Sequence, residues 1–97
     1  MKLVIVPLAL GELHDAAAFY TASANAELGL AFVAEFDRAA SRILVNPHAG
    51  AVFRGSRRRY VLRRFPYSIF YQVTSDEIRV VAVAHQRRLP SYWAGRK

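Results

Sequence analysis

The apolar pattern of this 97-residue chain changes period at Asn46-Pro47, and that change most limits the folds open to it. Upstream, Leu28, Phe32, Phe36, Ala39 or Ala40, and Ile43 recur every three or four residues, which draws one apolar stripe down a helix. Downstream, residues 59–64, 67–74 and 78–84 alternate or run through continuous β-formers, which predicts three strands. At the other end, residues 2–6 are β-rich and stop at Pro7, which suits the first turn of a helix because no partner is needed there for its missing N–H. From Ala9, the positions Leu13, Ala16, Ala17 and Tyr20 keep helical spacing to about Tyr20, and Thr21-Ala22-Ser23-Ala24-Asn25 offers caps for a tight connection. The prediction is an α+β fold with an N-terminal strand, a helical hairpin, and a three-stranded antiparallel meander turning at Pro66 and Ser75-Asp76. All strands join one sheet, with the helices packed on one face.

Composition narrows the function classes. With 54% hydrophobic and 22% charged residues, the chain has apolar surface enough for a core, and residues 1–97 fit a single domain. There is no Cys, so neither a disulfide nor a thiolate metal site can form, and the cytoplasm is the expected compartment. The apolar run at residues 3–6 is too short for a signal peptide and is broken by Pro7, and no stretch approaches the ~20 apolar residues of a membrane span. His14 and His48 have no carboxylate or thiolate at ligand spacing, so no metal is expected. P-loop, GxGxxG and Ser-His-Asp patterns are absent too, so no cofactor is expected.

Charge supplies the positive indication. Lys and Arg number 14 against 7 Asp and Glu, a formal charge of +7, which favours phosphate backbones or an acidic protein partner. Nearly all these cations are Arg, the side chain whose planar fork matches phosphate and carboxylate. Arg54, Arg57, Arg58, Arg59, Arg63 and Arg64 crowd the first meander strand and its approach. Strand alternation sends Arg57, Arg59 and Arg63 to one face and Arg58 and Arg64 to the other, which leaves one face as an open cationic surface. Charge on a strand edge also guards against aggregation, so this cluster has a structural reading beside the functional one.

A second group closes the last strand. His85, Arg87, Arg88, Tyr92 and Trp93 fall close together, a set able to bind phosphate, stack a base and move a proton. The alternative is that Tyr92 and Trp93 pack the C-terminal turn onto the sheet and that His85 makes a structural hydrogen bond.

Two blocks carry a resemblance: Arg63-Arg64-Phe65-Pro66-Tyr67-Ser68-Ile69-Phe70-Tyr71, and His85-Gln86-Arg87-Arg88-Leu89-Pro90-Ser91-Tyr92-Trp93 after the strand at 78–84. With Tyr20, Leu28-Gly29, Phe32, Glu35, Ile43 and Asn46-Pro47, the chain over nearly its whole length resembles the RelE/ParE toxins of bacterial type II toxin–antitoxin, or plasmid-stabilisation, modules. The resemblance implies growth inhibition and an antitoxin partner, and leaves the oligomeric state open. RelE-like members cut mRNA in the ribosomal A site, whereas ParE-like members inhibit DNA gyrase and have no accepted catalytic residues. The nuclease branch typically has lysines on the first meander strand and an Arg after the Tyr of the second. Here Arg59 and Val61 stand at the former positions and Ser68 at the latter. The Phe-Pro-Tyr block and the Arg-Leu-Pro-Ser-Tyr-Trp ending look more ParE-like.

The expectation is therefore a ParE-like toxin that inhibits gyrase by binding. Its contact residues would be Arg57, Arg59, Arg63, Arg64, His85, Arg87, Arg88, Tyr92 and Trp93. A RelE-like endoribonuclease acting on ribosome-bound mRNA would instead use Arg59, Arg63, His85, Arg87 and Tyr92 as its active set. A non-enzymatic nucleic-acid-binding module built on the arginine patch is the third reading.

Overall fold

A computed structural model describes residues 1–88 and 92–96; Leu89-Pro90-Ser91 of the C-terminal block and Lys97 lie outside the described residues. The chain runs β1 (Lys2–Ile5), α1 (Pro7–Ser23), α2 (Ala26–Val45), β2 (Ala51–Arg54), β3 (Arg57–Val61), β4 (Tyr67–Val73) and β5 (Glu77–His85). The strands form one sheet in the order β1-β5-β4-β3-β2, in which β1 runs parallel to β5 and the other neighbours are antiparallel. Both helices cover one face, as the period change predicts.

Local signals explain the helical hairpin. Pro7 opens α1, and Asn25 caps α2 by accepting the Leu28 N–H on its side-chain oxygen at 2.8 Å. Gly29 faces α1 so closely that a Cβ there would stand 2.9 Å from the Ala17 carbonyl oxygen. The stripe read from the sequence is buried at Phe32, Phe36, Ala39 and Ile43, against Leu13, Ile69, Tyr71, Ile78 and Val80. Among the described residues no helix is long and apolar enough to cross a membrane.

Two expectations for the sheet need correction. Four strands, not three, follow the helices, because residues 51–54 form an edge strand, β2, joined to β3 by a tight turn at Gly55 (φ 55°) and Ser56. The first meander strand ends at Val61 rather than running from 59 to 64, so Arg63 does not share a strand face with Arg57 and Arg59. The chain leaves the sheet because Leu62 turns in to the core, and its N–H donates to the Tyr67 carbonyl across the turn at 2.9 Å.

The face opposite the helices has its own apolar cluster. Val81 is an extra residue opposite the Phe70/Tyr71 step of β4, a bulge that puts Val81 and Ala82 on the same side. They pack with Phe70, Ala84 and Trp93, whose ring lies 4.4 Å from that of Phe70. The C-terminal turn thus covers part of the sheet that the helices leave bare.

A candidate target-binding surface

The expected contact residues separate into groups. Arg57 and Arg59 lie on the helix-free face, where strand alternation places them. The Arg57 fork is already engaged: it donates to the Ala94 carbonyl at 3.0 Å and to the Arg96 carbonyl, and it sits 5.5 Å over the Trp93 ring. Trp93 is 2% exposed, so the packing alternative describes it, and its ring has no free face to offer a target. Arg59 is exposed, its guanidinium 5.9 Å over Phe53. Arg58 points to the helix side and donates to the Gly50 carbonyl at 2.8 Å.

Arg63 and Arg64 occupy the β3–β4 turn beside α2. Glu35 fixes this turn: its carboxylate accepts the Arg63 backbone N–H at 2.7 Å while both of its oxygens take the Arg38 guanidinium at 2.7 Å. The Arg38 hydrogen bonds hold the Glu35 carboxyl below its ordinary range, against the opposing pull of burial, and Arg63 adds to the lowering. Arg64 adopts a left-handed backbone, φ 72°, and its guanidinium lies 5.4 Å over Phe65.

His85, Arg87, Arg88 and Tyr92 gather at the C-terminal end of β5. The His85 ring meets Tyr67 edge-on at 5.2 Å, and its Nδ1 accepts the Arg87 backbone N–H at 3.1 Å. Arg88 stacks on Tyr92 with 4.2 Å to the ring centroid, close to Glu12 and Asp15 of α1. Burial, then the Glu12 carboxylate, pushes the Tyr92 phenol up to about 12, so at neutral pH it keeps its proton.

The β3–β4 turn and the end of β5 meet. The Gln86 N–H donates to the Pro66 carbonyl at 2.8 Å, which brings the backbones of the Arg63-Arg64 and Arg87-Arg88 pairs to one end of the sheet. All four arginines are exposed there. Two carboxylates outside the expected contact set organise the surroundings. Glu35 stands three residues before Arg38 on α2, a spacing that suits their pairing but gives no sign of the tie to Arg63. Glu12 accepts the Val83 N–H at 3.1 Å beyond the end of β1 and pairs with Arg96 at 2.7 Å, and no local sequence signal announces either contact.

With this arrangement in view, comparison with known proteins is decisive for the family. The family model of the ParE toxin of the type II toxin-antitoxin system, parDE, matches residues 3–90. The chain belongs to the ParE toxin family. A solved structure described as the chromosomal ParDE TA system from P. aeruginosa has the same fold as this ParE toxin. The TM-score is 0.78, with 88% of this chain and 95% of that chain covered at 20% identity. No curated protein sequence matches this family member.

Proposed function

We propose that this ParE family member is a toxin that inhibits DNA gyrase by binding rather than by catalysis, through the arginine-crowned end of the sheet. The observation that carries this reading is that the would-be catalytic set is divided between the two faces of the sheet. His85, Arg87 and Tyr92 gather at the end of β5, with Arg63 on the adjoining turn beside α2, but Arg59 lies on the helix-free face, away from them. General acid–base chemistry needs such groups within hydrogen-bond reach of one reacting atom. Ser68, at the position where the nuclease branch has an Arg, is 2% exposed between Val61 and Ala84 and presents no charge. Arg63, Arg64, Arg87 and Arg88, by contrast, offer four exposed cations at one end, as a charged docking surface requires.

The antitoxin would cover the helical layer. Leu8, Phe19 and Leu30 are 63%, 58% and 70% exposed, apolar surface of the kind an amphipathic helix buries. To test the function, the protein is induced alone in bacteria, with plasmid supercoiling, the DNA-damage response and primer extension across translated mRNAs read in parallel. Loss of supercoiling with intact messages is the expected result. Cuts in ribosome-bound messages would replace it with ribosome-dependent mRNA cleavage.

A further inference from the structure

The sheet register aligns Arg57 of β3, Gln72 of β4 and Arg79 of β5 in one row, and alternation puts all three on the helix-free face. Two strand spacings separate the arginines by roughly 10 Å, with the Gln72 amide between them. The row is the floor of two adjoining open grooves that share Arg57 and Gln72. The Arg54-Gly55-Ser56 turn borders one and Arg96 the other. Four guanidiniums therefore border this strip. Arg57 already donates to the Ala94 and Arg96 carbonyls, Arg96 to the Val81 carbonyl and to Glu12 on the α1 side, and Arg79 pairs with Glu77 at 2.8 Å, so two carboxylates stand against four cations. Ser56 and Gln72 add neutral donors. The strip keeps a net positive charge, which attracts anions and repels cations.

The kind of anion follows from what else the strip offers. Protein interfaces are most often centred on an exposed apolar or aromatic anchor. The one large aromatic ring bordering these grooves, Trp93, is 2% exposed. Contacts to a nucleic-acid backbone need no such anchor and use arginines with serine and glutamine donors. We propose that the helix-free face, along Arg54, Arg57, Gln72, Arg79 and Arg96, binds the phosphodiester backbone of nucleic acid without reading its sequence. This site is separate from the arginine-crowned end and does not depend on the identity of the inhibited target.

Arg57 and Arg96 also hold the C-terminal turn, so the test uses Arg54 and Arg79. Binding of a fluorescent mixed-sequence 12-nucleotide single strand is followed by anisotropy across a KCl series. Log affinity should fall linearly with log salt, and Arg54→Gln with Arg79→Gln should shallow the slope by about 1.4, or 0.7 for each lost contact. At any one salt concentration the double variant should bind several-fold more weakly, whatever the oligonucleotide sequence. Arg42→Gln, an exposed change on α2, should match the unsubstituted protein. If the double variant does not fold by circular dichroism, Arg54→Gln alone should shallow the slope by about 0.7. Absent oligonucleotide binding, an unchanged slope in the folded variant, or an equal loss in Arg42→Gln overturns the proposal. So does tighter binding of a poly-glutamate peptide than of the oligonucleotide.

Discussion

Glu35 grips Arg38 through both carboxylate oxygens, each at 2.7 Å, and this pair fixes the turn that carries Arg63 and Arg64, because the same carboxylate accepts the Arg63 N–H. Arg38 also reaches the Tyr60 hydroxyl at 3.4 Å, tying α2 to β3. Glu35→Gln keeps the shape and removes the charge. Because the Arg38 side chain is 33% exposed, solvent screening lowers the expected cost to about 1 kcal/mol, below the ~1.5–3 kcal/mol of well-shielded charged hydrogen bonds. The folded-state pKa is depressed, so this stabilisation is present above the ordinary 4.5 and is lost as pH falls through the folded value. The gap in urea midpoint between Glu35→Gln and the unsubstituted protein should therefore be constant above pH 4.5 and narrow as pH falls below it. A gap that stays the same across the whole acid range in which the fold survives would mean that the charge contributes nothing.

Arg64 separates stability from contact. Its left-handed backbone, φ 72°, costs a side-chain-bearing residue about 1 kcal/mol, which glycine avoids. Arg64→Gly should thus hold or raise Tm while removing one exposed cation from the proposed gyrase-binding end. Toxicity on induction should fall. A variant that is more stable and equally toxic would take Arg64 off the contact surface.

Tyr71 joins the helices to the sheet where the sequence shows only another aromatic residue of β4. Its hydroxyl accepts the buried Gly50 N–H and donates to the Pro47 carbonyl, both at 2.8 Å. Tyr71→Phe strands that N–H without a partner, at a cost of about 1–3 kcal/mol. Chemical denaturation should show a lower midpoint with an unchanged m-value, and an unmoved midpoint would mean that water replaces the hydroxyl.

Trp93 is the chain's single tryptophan and reports directly on the C-terminal turn. Packed against Phe70 and Phe53, it should emit at short wavelength and resist quenching by iodide. Trp93→Ala should cost about 3 kcal/mol or more as the cluster on the helix-free face opens. Unchanged stability with lost toxicity would instead place the ring at the target.

What was legible in the sequence was local or periodic. Phe32, Phe36, Ala39 and Ile43 mark their helix because one element buries them along a single stripe, and Asn25 and Pro7 mark helix starts because they act within one turn. Alternation likewise put Arg57 and Arg59 on one face. The edge strand β2 was missed because, of its four residues, only Phe53 is even half-buried, so no apolar alternation betrays it. It exists because β3 supplies a ladder partner, and the Gly55-Ser56 turn was its one local signal. The Val81 bulge, the exit of the chain at Leu62, the burial of Trp93 on Phe70 and the hold of Glu35 on Arg63 each join segments distant in sequence. Such contacts are selected by the packing of the whole sheet, and no local pattern encodes them. The sequence by itself therefore determined the helical hairpin, the alternation of Arg57, Arg58 and Arg59 within β3 and the arginine-rich character of this toxin. Only the tertiary structure decided which arginines are free to meet a partner and which are already used to hold the chain together.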